Sequence, residues 1–230
     1  MADKVTAIVL AAGKGSRMNS DIPKQYLTLL GKPVLFYSLQ ALEDSEVDEI
    51  VLVTGAGEQE YCKTNIVDKY HITKVVYMTE GGEERYHSVY RGLLAAKDAD
   101  YVLIHDGARP LISSVTINHA IERVKETKAC VVGMPVKDTI QITDETGVIA
   151  FTPERPRTWI AQTPQCFSYE LAFSSYHKAI ENEDRTITDD AMVVQRYGQV
   201  RSVMIPGSYE NIKVTTPEDI AAAETFLKMR

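Results

Sequence analysis

The chain has 230 residues, 44% hydrophobic and 25% charged, which is enough for one substantial core without disulfide or metal staples. Its formal charge of −7 argues against a polynucleotide partner, which calls for a basic face. Cys62, Cys130 and Cys166 are odd in number, far apart and lack any C-x-x-C spacing, so they point to neither a disulfide framework nor a zinc site and suit a reducing cytoplasm.

The N-terminal stretch MADKVTAIVLAAG carries an apolar run too short to span a bilayer and reads as a first core strand, Val5 to Leu10. That strand runs into a glycine loop bearing Lys14, Arg17 and Lys24. Such a loop leaves backbone N–H groups unpaired and adds cations to them, which suits a ligand with several negative oxygens. A dinucleotide fingerprint on Gly13 and Gly15 would need a third glycine at Met18, and a Walker loop would need glycine and lysine at Met18 and Asn19. Both common phosphate loops are disfavoured. The three cations, with Pro23 stiffening the approach to Lys24, favour a polyphosphate over a plain strand-to-helix turn.

Apolar runs recur at Glu49 to Val53, Lys74 to Met78, Tyr101 to Ile104 and Cys130 to Met134. Between them lie helical spacings such as Val34-Tyr37-Ser38-Ala41-Leu42, Val89-Leu93-Ala96 and Val115-His119-Ile121-Val124. Strands alternating with helices predict an α/β fold, a mostly parallel sheet covered on both faces, with its ligand crevice at the carboxyl ends of the strands. From Val136 to Phe151 two β-like runs flank the turn Asp144-Glu145-Thr146-Gly147 and predict a projecting hairpin. A hairpin of this kind has little core of its own, and a partner subunit would supply one. Helices are expected to open at Ser168 and Thr188, with a strand near Val200 to Ile205. A last helix has Thr216 as N-cap, Pro217 at its first position and Asp219 in its first turn. The whole chain reads as one domain with residues 136–160 as an arm.

Polar clusters fall beside the expected crevice. Asp106, ending the run Ile104-His105-Asp106-Gly107-Ala108-Arg109-Pro110, is placed either to meet a Mg²⁺ on nucleotide phosphates or to cap and salt-bridge its loop with Arg109. His105 reads as a core histidine. Gly81 and Gly82 allow close backbone approach to a flat base, with Ser88 to bond its edge, although an ordinary strand-to-helix turn has the same pattern. Lys213 is expected in a short apolar strand, Ile212-Lys213-Val214, just before the last helix, where a snorkelling edge lysine is the plain reading. The segments at 161–165 and 186–190 suit a sugar phosphate and equally suit turns and caps.

Taken in order, the blocks LAAGKGSRM, PKQY, GGEERYHSV, HDGARP, PVKDT, WIAQTPQ, TITDDA and NIKVTTPED, spanning residues 10 to 219, resemble the 2-C-methyl-D-erythritol 4-phosphate cytidylyltransferase family. The resemblance implies a doubly wound, nucleotide-diphospho-sugar transferase-like fold. It also implies a homodimer joined through the hairpin arm, with CTP as cosubstrate and Mg²⁺ as metal. It assigns Arg17, Lys24 and Lys213 to catalysis and Asp106 to the metal. Ala11, Ala12, Gly13, Gly15, Gly81, Gly82, Arg85 and Ser88 fall to the nucleotide. Arg109, Thr139, Thr163 and Thr188 fall to the acceptor, and Arg155, with Arg157 two residues away, to the acceptor of the other subunit. Two departures are Asp190 where the family often has Glu, and Gly107 where it often has Ala, a change expected to loosen the metal loop.

The residue types agree with that chemistry. A phosphate acceptor is already ionised at neutral pH, so no nucleophile with an adjacent base is required, and charge neutralisation is what the chain must supply. A sister family, ribitol 5-phosphate cytidylyltransferase, shares the glycine loop, PKQ and NIKVTTP, whereas HDGARP and TITDD favour the erythritol family. A nonenzymatic nucleotide-binding module is the rival of another class, and it has no need for Arg17, Lys24, Asp106 and Lys213 together.

Overall fold

The computed structural model describes residues 3–13 and 22–230, so the loop residues Lys14, Gly15 and Arg17 lie outside the described residues. Strand β1 (Val5–Ala11) is apolar apart from the buried Thr6 because it is covered on both sides. Val5, Ala7, Val9 and Ala11 feed one core, and Ile8 feeds the other. A 3-10 turn (Lys24–Tyr26) and a small ribbon, β2 (Thr28–Leu29) with β3 (Lys32–Pro33), follow. Then come α1 (Val34–Glu43), β4 (Glu49–Thr54), α2 (Gln59–Cys62), β5 (Val75–Glu80), α3 (Arg85–Ala95), β6 (Tyr101–Asp106), α4 (Ser114–Thr127) and β7 (Ala129–Pro135). The C-terminal part adds β8 (Ile142–Thr143), β9 (Ile149–Phe151), β10 (Trp159–Ser168), α5 (Tyr169–Glu181), α6 (Asp190–Tyr197), β11 (Val203–Pro206) and α7 (Pro217–Lys228).

Seven of these strands form one sheet in the order β11-β7-β10-β6-β1-β4-β5, parallel except for β10. Helices α1 and α4 cover one face through Leu35, Leu39, Ile117 and Ile121, and α3, α5 and α6 cover the other through Val89, Leu93, Tyr176 and Val193. The chain leaves β1 for β4 and β5 on one side and returns through β6 on the other. Loops at the carboxyl ends of β1 and β6 therefore part and open a crevice, the switch point of a doubly wound sheet. Helix α7 packs on the ribbon through Ala223, Leu29 and Val34, and starts with the capping box expected at Thr216 and Asp219. No helix among the described residues is long and apolar enough to cross a membrane.

Four local expectations are corrected. Residues 161–165, which suited a sugar phosphate or a turn, lie inside a ten-residue strand (Trp159–Ser168) in the middle of the sheet, antiparallel to both neighbours. Pro164 disguises it, and the strand accommodates that residue where its pairing with β7 shifts register between Ala161 and Gln165. The hairpin pairs over only Ile142–Thr143 and Ile149–Phe151, while residues 136–141 are irregular. Its turn is as expected, with Asp144 Oδ1 accepting from the N–H groups of Thr146 and Val148 and with Gly147 at φ +86°. Helix α6 is capped by Asp189, which accepts from Met192 N–H, rather than by Thr188. The stretch around Lys213 forms no strand. Its backbone is fixed instead by Val214 N–H donating to Ala108 O at 2.8 Å.

Candidate active site

At the crevice the molecule has a cleft of about 1030 Å³. Its wall is built from the end of β1 (Ala11 to Gly13), the Pro23–Gln25 turn, the Gly81–Arg85 turn with Ser88, the end of β6 at Asp106, and Lys213. The expected nucleotide-side residues thus come together, apart from Gly15 and Arg17, which lie outside the described residues.

Each piece is held by bonds within the chain. Gln25 Nε2 donates to Ala11 O at 2.6 Å and ties the lysine turn to the first strand. Lys24 Nζ donates to Val214 O at 3.1 Å, which sets it beside the Lys213 segment. Tyr26 donates to Glu58 Oε2 at 2.6 Å and lies 3.0 Å from Cys62 Sγ, anchoring the same turn to the loop after β4. At the glycine turn, a Cβ on Gly81 would sit 2.3 Å from Ala12 Cβ, and one on Gly82 would sit 2.4 Å from His87 Cβ. The two glycines are therefore required by close approach within the chain itself. Ser88 lines the cleft, but its hydroxyl accepts from Gly82 N–H and donates to Glu84 O. It shapes the turn from within. Arg91, absent from the sequence reading, donates to the carbonyls of Glu80 and Gly81 and clamps the turn from outside.

Asp106 is the electrostatic centre. Lys213 Nζ lies 2.8 Å from its Oδ2, Arg85 Nε 3.2 Å from its Oδ1, and Arg109 Nε 4.0 Å from Oδ2. Burial alone would raise this carboxyl, but Arg85, Lys213 and Arg109 overcome it and hold Asp106 well below the usual carboxylate range. The acid is ionised whenever the protein is folded at neutral pH. Asp106 does salt-bridge its loop, as one expectation had it, and it also faces the cleft. Gly107 is not loose: its N–H donates to Leu10 O, Ser38 donates to its carbonyl, and a Cβ would lie 2.7 Å from Leu35.

Among the described residues no group of three or more His, Cys, Asp or Glu side chains forms a metal cage. One ionised carboxylate on a cleft wall instead fits Mg²⁺, which takes one or two protein carboxylates and fills its other positions with water and phosphate oxygens.

The acceptor-side residues are less gathered. Arg109 is largely enclosed, and its NH1 donates to Asn211 O at 2.7 Å. Thr163 is buried. Its hydroxyl accepts from Asp106 N–H at 3.1 Å and lies 3.1 Å from His105 Nδ1, so it is committed to holding the end of β6 rather than turned to a ligand. His105 is a core residue as expected, with burial pushing its imidazole down to about 4. Thr139, Arg155 and Thr188 are exposed and none lines the cleft. Arg157 pairs with Glu154 of its own turn at 3.7 Å. Sequence reasoning also missed Asp190 and Tyr176 as site-related side chains. The TITDDA block pointed at the first, and nothing marked the second.

A doubly wound sheet whose switch-point cleft holds an ionised aspartate among Lys213, Arg85 and Arg109, with Lys24 on the same wall, suits an α/β nucleotidyltransferase. The family model described as "IspD: 2-C-methyl-D-erythritol 4-phosphate cytidylyltransferase" matches residues 5–229. A relative from Lachnoclostridium phytofermentans with that enzyme name is 49% identical over 226 residues, covering 98% of this chain and 97% of its own. One from Caldanaerobacter subterraneus is 45% identical over 226 residues, with 97% and 99% covered. The crystal structure of 4-diphosphocytidyl-2C-methyl-D-erythritol synthase from Anaerococcus prevotii superposes with a TM-score of 0.87 at 31% identity, covering 98% of this chain and 96% of that one. The Thermus thermophilus 2-C-methyl-D-erythritol 4-phosphate cytidylyltransferase gives 0.79 at 27% identity, with 98% and 99% covered. The chain belongs to the 2-C-methyl-D-erythritol 4-phosphate cytidylyltransferase family.

Proposed function

We propose that the chain joins CTP and 2-C-methyl-D-erythritol 4-phosphate to give 4-diphosphocytidyl-2-C-methyl-D-erythritol and pyrophosphate, a step of non-mevalonate isoprenoid precursor synthesis. Family membership over residues 5–229 supports the substrates. The observation that carries the chemistry is the convergence of Lys24, Lys213 and ionised Asp106 on one cleft. An oxygen of the acceptor phosphate attacks the α-phosphorus of CTP, a new P–O bond forms, and the bond to the β-phosphate bridge breaks as pyrophosphate leaves. The attacking oxygen is already ionised, so the residues need supply only position and positive charge. Lys24 and Lys213 meet the charge that grows on the α-phosphate, with Arg17 of the glycine loop assigned the same role. The Gly81–Gly82 turn and the backbone from Ala11 to Gly15 receive the nucleotide, with Ser88 shaping the turn. Asp106 is the residue that would hold Mg²⁺, which when bound neutralises phosphate charge.

On the acceptor side we assign Arg109, Thr139 and Thr188, with Thr163 acting through the end of β6. Arg155 reaches the acceptor of a partner subunit. The arm supports this reading: Val148, Ile149 and Phe151 are 63%, 58% and 57% exposed, a patch that two clasping subunits would cover. Three buried, unbridged cysteines, two of them (Cys130 and Cys166) cross-strand partners in β7 and β10, suit a cytoplasmic protein.

Pyrophosphate release with CTP, Mg²⁺ and a panel of sugar phosphates tests the reading. Turnover with 2-C-methyl-D-erythritol 4-phosphate is expected. Preference for ribitol 5-phosphate would move the chain to the sister activity, and CTP binding without release from any acceptor would make it a binding module.

A further inference from the structure

Two acids, Asp106 on the cleft wall and Asp190 behind it, share one arginine. Asp190, the first residue of α6, is fully enclosed and takes a fork of bonds from Arg85, NH1 to Oδ1 at 2.6 Å and NH2 to Oδ2 at 2.8 Å. Tyr176 of α5, also fully enclosed, donates its phenol to the same Oδ1. The third nitrogen of the guanidinium, Nε, turns the other way and reaches Asp106 Oδ1, while Lys213 holds Asp106 Oδ2. One continuous chain of bonds thus runs Tyr176, Asp190, Arg85, Asp106, Lys213, from the helix layer to the cleft.

The geometry determines what Arg85 does. A guanidinium is a rigid plane, so a bidentate grip on NH1 and NH2 fixes the direction of Nε–H, which a single bond would leave free to swing. Enclosing a carboxylate completely is unfavourable unless its bonds are met, and among the described residues Asp190 meets that demand with Arg85 and Tyr176. Without the grip, Arg85 would be free to take both oxygens of Asp106 and displace Lys213, or to turn to a bound phosphate.

We propose that Asp190 and Tyr176 are positioning residues for nucleotidyl transfer: by gripping Arg85 they confine it to one oxygen of Asp106 and keep the other for Lys213. The inference rests on the function proposed above and deepens it. It gives Arg85, expected from the resemblance to touch the nucleotide, the task of orienting Asp106.

The test compares Tyr176→Phe, Asp190→Asn, Arg85→Lys and the double variant Tyr176→Phe/Arg85→Lys. The readouts are kcat and KM for CTP, calorimetric CTP binding, and melting temperature. Tyr176→Phe is expected to lower kcat roughly fivefold to tenfold with KM and CTP affinity within about threefold, and Asp190→Asn and Arg85→Lys to lower it further. Adding Tyr176→Phe to Arg85→Lys should cost less than about twofold more, because the phenol acts only through the arginine. A merely structural staple would lower the melting temperature while leaving kcat alone, or would give independent losses that multiply in the double variant, and either result overturns the proposal. Should Asp190→Asn fail to fold, Tyr176→Phe, which removes one oxygen, decides alone. A wild-type protein that releases no pyrophosphate sinks the proposed function and this inference together, whereas an active wild type with an indifferent Tyr176→Phe sinks this inference only.

Discussion

Around the Gly81–Gly82 turn and the end of β6, the side chains of the cleft are tied to partners from elsewhere in the same chain: Ser88 to the turn, Arg85 to Asp190, Asp106 to Lys213. Thr139, Arg155 and Thr188, by contrast, stand on exposed segments away from the cleft, two of them on or beside an arm whose apolar residues face solvent. Among the described residues, the side assigned to the nucleotide is held by the switch point of one sheet, so Lys24, Arg85, Asp106 and Lys213 are already bonded in place there. Among the described residues Thr139, Arg155 and Thr188 are not brought to the cleft, and on the proposed reading a second subunit completes their side of the site. On that reading the site divides into one half built by a single chain and another shared between two.

The largest effects are expected in the preorganised half. Lys213→Ala and Lys24→Ala should each lower kcat by roughly 100-fold or more while raising KM for CTP far less, because the proposed reading has both amines meet charge that grows in the transition state. Steady-state kinetics with varied CTP reads the split, and unchanged turnover with weak CTP binding would reduce the lysines to ground-state anchors. Asp106→Asn should keep the fold, remove most activity and move the Mg²⁺ requirement upward. A normal Mg²⁺ titration at normal rate would leave Asp106 as a loop clasp alone. The exposed half should respond differently. Arg155→Lys is expected to raise KM for the acceptor about tenfold and leave CTP binding nearly unchanged, since an ammonium does not reproduce a bidentate grip on phosphate. Equal weakening of both substrates would erase the distinction between the halves.

The smallest effect lies outside both. Asp219 Oδ2 accepts from the N–H groups of Thr215 and Thr216, each at 2.8 Å, at the start of α7. Burial pulls its carboxyl up, yet these bonds from Thr215 and Thr216 hold it below its ordinary value of 3.8. A carboxyl lowered by folding stabilises above its unfolded value and loses that contribution as pH falls through the folded one. Asp219→Asn should therefore cost about 1 kcal/mol in urea unfolding at pH 7, and the gap to wild type should narrow toward pH 3. A gap independent of pH would assign the loss to shape rather than charge.

How far the sequence reveals this molecule depends on the range of the interactions. The continuous apolar runs at 5–10, 49–53 and 101–104 become β1, β4 and β6 because a strand buried on both faces has no polar alternation to confuse. Thr216, Pro217 and Asp219 announce α7 because a cap is a contact among near neighbours. Strand β10 was hidden, since a proline between amides and hydroxyls has the local signature of a turn, and only its neighbours β6 and β7 make it a strand. The glycine turn, Asp106 and Lys213 were legible as candidates through motif chemistry. The grip of Asp190 on Arg85 was not, because 105 residues separate the two and either alone reads as a surface charge.

Mixing subunits tests the division of the site most directly. Arg155→Ala and Lys213→Ala are each expected to be nearly inactive with saturating CTP at ordinary acceptor concentration. Unfolded together and refolded, or exchanged until hybrids form, they should regain roughly a quarter of wild-type activity, since half of the dimers are hybrids and each hybrid contains one site spared both changes. Hybrids shown by mass spectrometry to have formed without any return of activity, or a protein that sediments as a fully active monomer, would contradict the shared acceptor half.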